Sequence, residues 1–472
     1  MPQHFDLAIV GAGSGGLSVA AGAAQLGARV VLFEKHKMGG DCLNYGCVPS
    51  KAVIAAAHVA ETIRSGGQFG VNGHEPVIDF AKVNAHVHGV IAAIAPNDSV
   101  ERFQKLGVTV VEAPAKFVSQ AEIEAAGQRY TARRFVVATG SKAFVPPIAG
   151  IKDVKAYTNE TIFDLTEAPG HLIVIGGGPI GIEMAQAHRR LGCKVTVIEA
   201  VSLMPKDDVD AVAVVRALLL KEGLSLIEGA KVDGVSQAGN GVAVGIVRGG
   251  RNETITGTHL LVAAGRRANV NDLGLDAAGI AFSPMGIEVD ARLRSSNKKV
   301  FAIGDVAGGY QFTHIAGYHA GIVVRNALFN VPAKVDYSAV PWVTYTDPEL
   351  AHVGQTLAQA QKTGPTAKAT TWQLHENDRA QAERATEGFI KVVTTQGGRI
   401  IGATIVSRHG GELILPWVIA VQKKMTMRDM TGIIAPYPTL GEISKRAAGA
   451  YFTPQLFSER TRSIVRFMQC WT

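Results

Sequence analysis

Residues 5–16 read FDLAIVGAGSGG, a short apolar run followed by a glycine-rich turn. The small-residue segment LSVAAGAAQLG and then a second apolar run, ARVVLFE, continue the chain to residue 34. A strand, a tight turn, a helix and another strand are typical of a βαβ unit, whose helix packs across two parallel strands. This stretch therefore predicts an α/β fold built on a parallel sheet.

Three glycines in this turn, Gly11, Gly13 and Gly16, have the spacing of a dinucleotide-binding loop. The first glycine permits the tight turn, the second admits a pyrophosphate, and the third lets the helix approach the strand. The helix N-terminus adds partial positive charge. Glu34 ends the next strand, where a carboxylate can bind ribose hydroxyls. This context predicts a dinucleotide site; the alternative is a glycine-rich turn without a ligand.

The same design returns between residues 171 and 199, where HLIVI precedes GGGPIG, IEMAQAHRRLG and CKVTVIE. Its glycines are Gly176, Gly178 and Gly181, and Glu199 ends the second strand. A carboxylate at that position would repel a ribose 2′-phosphate, which favours NADH over NADPH. Nearby Arg and Lys residues leave NADPH open as the alternative. One chain thus carries two predicted dinucleotide folds.

Length and the remaining pattern indicate several domains. At 472 residues the chain exceeds what a single hydrophobic core supports. Helical patterns over about 51–106 are followed by strand patterns over 108–138. From about Val335 the pattern changes to that of an antiparallel sheet with helices. We therefore expect two Rossmann-like dinucleotide-binding domains and a separate α+β C-terminal domain.

Charge and cysteine content restrict the partners and the compartment. The net charge is +7, but the chain has no long run of Lys and Arg and no nucleic-acid motif, so we expect no nucleic-acid partner. A strand pattern starts at Phe5, which argues against a signal peptide. The sequence has no apolar stretch of about 18 residues, so we expect no membrane span. Four cysteines do not make a disulfide framework, and a reducing, cytoplasmic setting is expected.

The segment from Thr453 to Thr472 is basic and amphipathic. We expect it to form a helix packed on its own protein. Contact with an anionic membrane or with a partner is the alternative.

The segment CLNYGCVPSK places two thiols, Cys42 and Cys47, five residues apart. On a regular helix they would lie roughly 140° apart, so they can bond only across a distorted turn. Gly46 permits such a distortion, and Pro49 suits an early helical position. A thiol at a helix N-terminus ionises at lower pH, which favours thiol–disulfide exchange. A zinc site, which would need further Cys or His ligands nearby, and two inert thiols are the alternatives.

The stretch GGDCLNYGCVPSK resembles the active-site segment of the flavoprotein disulfide reductases. These form the class I pyridine nucleotide-disulfide oxidoreductase family, which includes dihydrolipoamide dehydrogenase, glutathione reductase and mercuric reductase. The resemblance continues through VVATG, AAGRRAN, AIGD, VTYTDPELAHVG and PTLGE, nearly end to end. It implies FAD bound by residues 1–150 and 270–334, NAD(P)H bound by 151–269, and a two-fold homodimer formed by 335–472.

The resemblance also implies individual roles. Cys47 would be the flavin-proximal thiol and Cys42 the interchange thiol that meets the substrate. Lys51 would lie near flavin N5, paired with Glu183, and Asp305 would hold the ribityl chain. The implied cofactor-binding residues are Gly11, Gly13, Ser14, Gly16, Glu34, Gly40, Lys51, Thr139, Gly140, Gly176, Gly178, Gly181, Glu199, Gly265, Arg266, Gly304, Asp305 and His314. For His314 there are two alternatives: it relays a proton near the flavin, or it has a packing or capping role.

One motif departs from the family members that handle dithiols. Those enzymes have His directly before Pro-Thr, with Glu a few residues on; here Tyr437 takes the His position and Glu442 is kept. Tyrosine, with an ordinary pKa of about 10, is a poor base at neutral pH. Tyrosine at this place is similar to the mercuric reductases, which bind a soft metal between thiolates. Those enzymes usually end in adjacent cysteines, whereas this chain has Cys470 alone, a candidate delivery thiol or a surface thiol. Cys193 is expected to be structural.

Three functions follow from these patterns. The leading hypothesis is a mercuric-reductase-like flavoenzyme that passes electrons from NAD(P)H through FAD and the Cys42–Cys47 pair to a thiol-bound metal ion or another acceptor. The first alternative is a dihydrolipoamide dehydrogenase-like enzyme in which Tyr437 replaces the usual His base. The second alternative is a non-enzymatic flavoprotein that senses redox state.

Overall fold

The computed structural model describes residues 3–470. It divides into two compact units. The first comprises the chain up to Ala200 together with Ser225–Val335, and the second comprises Val201–Leu224 together with the chain from Asp336 onward. Because these two units cut across the three predicted domains, the three-domain assignment stays a prediction.

The helices are α1 (Ser14–Gln25), α2 (Gly40–Asn44), α3 (Cys47–Ser65), α4 (Phe80–Ile94), α5 (Val100–Lys105), α6 (Pro179–Arg190), α7 (Val209–Lys221), α8 (Thr313–Leu328), α9 (Leu357–Thr363), α10 (Asp378–Ala382), α11 (Gly410–Leu413), α12 (Leu415–Gln422), α13 (Met427–Thr431), α14 (Glu442–Leu456) and α15 (Glu459–Gln469).

The strands of the first unit are β1 (Gln3–Val10), β2 (Val30–Glu34), β3 (Thr109–Glu112), β4 (Ala115–Ser119), β5 (Glu122–Ala125), β6 (Gln128–Val137), β7 (Ser141–Ala143), β8 (Ala156–Tyr157), β9 (His171–Ile175), β10 (Lys194–Glu199), β11 (Ser225–Glu228), β12 (Ala230–Ala238), β13 (Gly241–Arg248), β14 (Arg251–Gly257), β15 (His259–Val262), β16 (Arg266–Ala268), β17 (Phe282–Ser283), β18 (Gly286–Ile287) and β19 (Val300–Ala302). Those of the second unit are β20 (Pro341–Thr344), β21 (Glu349–Gly354), β22 (Lys368–Gln373), β23 (Phe389–Thr394) and β24 (Ile400–Ser407).

A seven-stranded sheet in the order β3-β2-β1-β6-β5-β4, with β19 beside β6, forms the first dinucleotide fold. Strand β1 runs parallel to both β2 and β6. Its residues Leu7, Ala8 and Ile9 are fully buried, because both faces of the sheet are covered. This explains why the sequence there reads as a continuous apolar run rather than an alternating one.

A five-stranded parallel sheet, β11-β10-β9-β15-β8, forms the second dinucleotide fold. Strand β9 has the predicted bounds, whereas α6 begins earlier than the predicted apolar segment. It starts at Pro179, which has no amide hydrogen to lose at the first helical position. The two predicted dinucleotide folds are therefore present, each as a β-strand, a glycine loop, a helix and a parallel strand.

The second unit is built on an antiparallel sheet, β20-β21-β24-β23-β22. Helix α7 packs against β21 and β24 of this sheet. Its residues Val212, Val215 and Leu219 are buried. The α+β character predicted from about Val335 onward is thus present. Within the described residues, no helix is long and apolar enough to span a membrane.

The C-terminal tail forms the predicted helix, whereas its packing on its own protein stays a prediction. Helix α14 ends at Leu456, and Ser458 caps α15 through its hydroxyl, which accepts a hydrogen bond from Thr461 N at 3.3 Å. None of the residues of α15 is buried. The predicted tail also includes Trp471 and Thr472, which lie outside the described residues.

Candidate active site

The first glycine loop leaves room for a phosphate-bearing ligand. A Cβ on Gly16 would overlap the carbonyl oxygen of Gly11, so α1 can meet the turn this closely only with glycine at that position. The Glu34 carboxylate lies at the same loop, where it accepts a hydrogen bond from Ala12 N at 2.7 Å. This combination of a bare backbone turn, a helix N-terminus and a neighbouring carboxylate fits the pyrophosphate and ribose of a dinucleotide.

The second glycine loop repeats these contacts. A Cβ on Gly181 would overlap the carbonyl oxygen of Gly176. Glu199 accepts a hydrogen bond from Gly177 N at 2.7 Å. Both loops therefore have the same construction, and the residues of each fit a dinucleotide. Gly178 is the N-cap residue of α6, as Gly13 is of α1.

Hydrogen bonds join several other predicted cofactor-binding residues of the first unit to neighbouring side chains and backbone. Thr139 and Asn269 exchange hydrogen bonds, Oγ1 to O at 2.8 Å and Nδ2 to O at 2.9 Å. Ser141 donates to Asp305 at 2.5 Å. Burial raises the pKa of Asp305, although Ser141 and Arg266 oppose that rise.

Backbone geometry in this network depends on glycine at two further predicted positions. Gly140 and Gly265 have φ values of +66° and +117°, which glycine adopts without strain. Gly304 N donates to His319 Nδ1 at 3.1 Å, and burial lowers the pKa of His319 to about 4. A neutral imidazole can accept this hydrogen bond, whereas the charged ring could not.

The cysteine segment begins directly against the first glycine loop. Gly39 N donates to Ala12 O at 3.0 Å, and Gly40 has a φ of +60° with no space for a side chain, since a Cβ would lie 2.7 Å from Gly13 Cα. Cys42 then lies on the short helix α2. The two residues after α2 break the helix, and Cys47 is the first residue of α3. The predicted distortion at Gly46 is thus a complete interruption between two helices.

Both thiols are free in this structure, and their electrostatic environments differ. The pKa of Cys47 is lowered to about 6, first by a hydrogen bond from Cys42 and further by Thr313 and Lys51. Thr313 Oγ1 lies 3.3 Å from Cys47 Sγ. The pKa of Cys42 is raised, first by the same hydrogen bond and then by burial. The pair therefore shares one proton, held by Cys42, while Cys47 is a thiolate at neutral pH.

Lys51 and Glu183 form an ion pair, with Nζ and Oε2 2.9 Å apart. Lys51 follows Cys47 by one helical turn on α3, and Glu183 is buried on α6. The contact joins the helix that carries Cys47 to the helix of the second glycine loop. It also holds a positive charge near the thiolate, consistent with the lowered pKa of Cys47.

Asp41, immediately before Cys42, makes an ion pair with Arg266 at 3.1 Å. Arg266 also donates to Ser141 Oγ at 2.7 Å, which connects it with Asp305. The other Asp41 oxygen accepts a hydrogen bond from Asn159 at 3.2 Å. Asp41 thereby fixes the cysteine segment to the network, and its charge raises the pKa of Cys47 against the other influences.

We predict that Asp41→Asn shifts the ionisation of Cys47 to lower pH. Asparagine removes a negative charge near the thiolate and leaves the Arg266 charge less compensated, and both changes favour the thiolate. The rate of iodoacetamide alkylation at Cys47 in the reduced enzyme, followed by mass spectrometry across pH, measures this shift. The wild-type midpoint is expected near pH 6. A midpoint that stays in place or rises in the variant contradicts the prediction; Asp153→Asn serves as a control.

Tyr437 and Glu442 lie together in the second unit, each engaged by a partner that the sequence did not indicate. The Tyr437 hydroxyl donates to Asp378 Oδ2 at 2.6 Å, and this hydrogen bond, with the charge of Asp378, raises the pKa of Tyr437. Glu442 accepts a hydrogen bond from Arg446 Nε at 2.8 Å. The tyrosine is therefore a neutral donor, further from acting as a base than an ordinary tyrosine.

The remaining candidates are placed as follows. His314 lies in the first turn of α8, with its ring stacked on Phe312 at a centroid distance of 5.1 Å. Cys193 is buried, and burial raises its pKa to about 12, which makes it an inert thiol. Cys470 is exposed at the end of α15. Within the described residues, no group of three or more His, Cys, Asp or Glu side chains is arranged to hold a metal ion.

The sequence analysis missed several residues that contact the predicted site. They are Asp41, Ser141, Thr313, His319, Asp378 and Arg446. A local signal existed for Thr313, because a hydroxyl residue opens a helix shortly after the AIGD motif. For Asp378 the sequence offers no signal, since it lies 59 residues from Tyr437.

Two dinucleotide folds and a cysteine pair at a helix N-terminus define a nucleotide-dependent thiol oxidoreductase. Residues 5–320 match the family model for pyridine nucleotide-disulphide oxidoreductases, and residues 340–448 match the dimerisation domain of the same family. The chain belongs to the pyridine nucleotide-disulphide oxidoreductase family.

Individual relatives extend over nearly the whole chain. Dihydrolipoyl dehydrogenase of Geobacillus stearothermophilus is 36% identical, with 93% of this chain and 94% of the relative covered. Mercuric reductase of Lysinibacillus sphaericus is 32% identical, with 94% and 82% covered. A solved structure of the HOCl-induced flavoprotein disulfide reductase RclA from Escherichia coli, as a Cu(II) complex, superposes with a TM-score of 0.85 at 27% identity, over 93% of this chain and 99% of that one.

These comparisons confirm the predicted family and fold class. The protein is a flavoprotein disulfide oxidoreductase, an enzyme that uses FAD and NAD(P)H. The electron acceptor is a separate question, which the chemistry around the cysteine pair and Tyr437 addresses.

Proposed function

We propose that this enzyme uses NADH to reduce a thiophilic metal ion that reaches Cys42 and Cys47 as a complex with external thiolates. In this proposal residues 1–150 and 270–334 bind FAD, residues 151–269 bind the nicotinamide cofactor, and residues 335–472 form a homodimer. When bound, FAD supplies the two-electron carrier between NADH and the cysteine pair. The observation that carries the proposal is the hydrogen bond of Tyr437 to Asp378.

The hydrogen bond matters because acceptors differ in their need for a base. Oxidising or forming a dithiol requires a group that takes up and returns a proton at neutral pH. Tyr437, whose pKa is raised by Asp378, cannot accept one there. A metal–thiolate complex brings its own proton acceptor. Cys42 binds the metal, an external thiolate leaves, and that thiolate takes the Cys42 proton.

The chain's own residues prepare the pair for this exchange. Cys47 is held as a thiolate by Cys42, Thr313 and Lys51, so one soft ligand is available at neutral pH. Cys42 keeps the remaining proton until its sulfur binds the metal. Two relatives support a metal acceptor, since one is named mercuric reductase and another was solved with Cu(II).

Glu199 supports the choice of NADH. Its carboxylate is held at the second glycine loop by Gly177 N. A 2′-phosphate brought to that position would meet a negative charge. The proposal expects a lower KM for NADH than for NADPH.

The proposal is tested by NADH oxidation under anaerobic conditions with Hg(II) or Cu(II) in excess external thiol. A metal-dependent rate well above the rate with lipoamide or oxidised glutathione is expected. If no soft metal stimulates NADH oxidation, while a disulfide does, the metal acceptor is excluded.

A second candidate is a dihydrolipoamide dehydrogenase-like activity, which the 36% identity to that enzyme favours. For it we predict that Tyr437→His raises lipoamide turnover by at least about tenfold, because a histidine can move a proton at neutral pH. Tyr437→Phe is the matched control, since it removes the hydroxyl without adding a base, and it should leave lipoamide turnover low. Equal lipoamide rates for the His and Phe variants would rule out this candidate.

A further inference from the structure

Helix α15 presents an apolar surface that the rest of the described chain leaves exposed. Ile464, Val465 and Met468 are 50%, 47% and 63% exposed. Just before the helix, Leu456 and Phe457 are 57% and 66% exposed. Large apolar side chains that cluster on a surface mark a contact with another molecule or with a membrane.

The residues of α15 are arranged in the pattern of an interfacial helix. At about 100° per residue, Ile464, Val465 and Met468 fall within an arc of about 100°. Arg460 and Arg462 lie on either side of that arc, each about 90–110° from its centre. This position lets a long side chain keep its charge in the headgroup layer while the apolar arc is buried.

The acidic residue of the helix lies on the opposite side from the apolar arc. Glu459 falls about 170° from the centre of that arc. It pairs with Arg462 at 2.9 Å and with Arg466 at 3.9 Å, and all three side chains are more than half exposed. Such pairs can open readily, because exposed ion pairs are weak. The side that would approach a surface is thus apolar and basic, which is complementary to an anionic surface.

A second copy of the chain is a less suitable binding partner for the apolar arc of α15 than an anionic surface. The dimerisation-domain match ends at residue 448, within α14, and does not include α15. The match to the dimerisation domain therefore does not account for the exposed apolar face of α15. The arginines beside the apolar arc would also have to meet acidic groups, whereas the chain as a whole carries a net charge of +7.

We propose that α15 binds the surface of an anionic lipid bilayer, with Ile464, Val465 and Met468 inserted at the boundary of headgroups and acyl chains. Arg460 and Arg462, which flank the apolar arc, would contact lipid phosphates. An anionic leaflet attracts basic segments within about a Debye length, so binding should weaken as salt rises. This inference concerns where the enzyme acts and does not depend on the identity of its acceptor.

The test uses the purified full-length holoenzyme and flotation with phosphatidylcholine vesicles, with and without phosphatidylglycerol. We expect flotation with the phosphatidylglycerol vesicles alone, and its loss at high salt. Met468→Glu should weaken vesicle binding by at least about tenfold, because a charge would enter the apolar layer. Met285→Glu is the matched control, since Met285 is 77% exposed but lies in the first unit. Flavin content and NADH oxidation in solution should not change in either variant.

Three results would overturn the proposal. The first is the absence of wild-type flotation with phosphatidylglycerol vesicles. The second is an equal loss of binding in the Met468 and Met285 variants, which would show a nonspecific effect of charge. The third is a change of oligomeric state in Met468→Glu, by light scattering, without wild-type vesicle binding; this would assign the helix to a second copy of the chain.

Discussion

Replacement of Cys42 by serine is expected to lower metal- or disulfide-dependent NADH oxidation by at least about a thousandfold. Serine can still donate a hydrogen bond to Cys47, so the thiolate and the fold should be kept. It cannot form a disulfide or bind a soft metal as a thiolate does. The rate of NADH oxidation with each acceptor measures the loss of turnover. Iodoacetamide alkylation of Cys47 at pH 7, in the same preparation, measures whether the thiolate is kept.

The matched control for this variant is Cys193→Ala. Cys193 is buried and holds an inert thiol, so its removal should leave turnover within a few-fold of wild type. Turnover by Cys42→Ser within about tenfold of wild type would show that electrons reach the acceptor without the cysteine pair.

Replacement of Lys391 by methionine should produce the largest loss of stability. The Lys391 ammonium lies 2.6 Å from Asp208 and 2.5 Å from Asp210, with only 9% of its side chain exposed. Asp208 is also buried and caps α7. Removing the lysine leaves a buried carboxylate without its counter-charge, which should lower the free energy of unfolding by about 3–5 kcal/mol.

Urea denaturation followed by tryptophan fluorescence measures the loss of stability caused by Lys391→Met, and it reports on the second unit. Three of the four tryptophans, at positions 342, 372 and 417, lie in the second unit, and the fourth, Trp471, is outside the described residues. Adding Asp208→Asn to the methionine variant should recover part of the stability, since no buried charge then remains. Arg462→Gln, which breaks an exposed pair in the same unit, should cost less than about 1 kcal/mol. Similar losses for Lys391→Met and Arg462→Gln would contradict the prediction.

The features that could be predicted from the sequence are those specified by neighbouring residues. A glycine loop and a following helix need only about fifteen consecutive residues to be recognised, and Gly11 and Gly176 introduce identical units. The break in the helix between Cys42 and Cys47 could also be predicted, because the two thiols cannot meet on a regular helix. In each case a local conformation determines the chemistry.

The features that could not be predicted arise from contacts between distant parts of the chain. Thr313 and Cys47 are separated by 266 residues, yet their side chains are 3.3 Å apart. Asp41 reads as an ordinary polar residue until the fold brings Arg266 to it. For the C-terminal tail, the sequence predicts the helix but not its contacts. Its amphipathic pattern correctly indicates a helix, but a pattern cannot specify what covers the apolar face.

Helix α7 lies in sequence between β10 and β11 of the second dinucleotide fold but packs on the C-terminal sheet. Recombination with a relative at a single junction near Val335 would therefore separate α7 from the sheet on which it packs. Asp208 and Asp210 would then face whatever residue the donor has in place of Lys391. A stable hybrid should inherit Val201–Leu224 and the C-terminal segment together, so we expect a hybrid made with one crossover to be less stable than either parent.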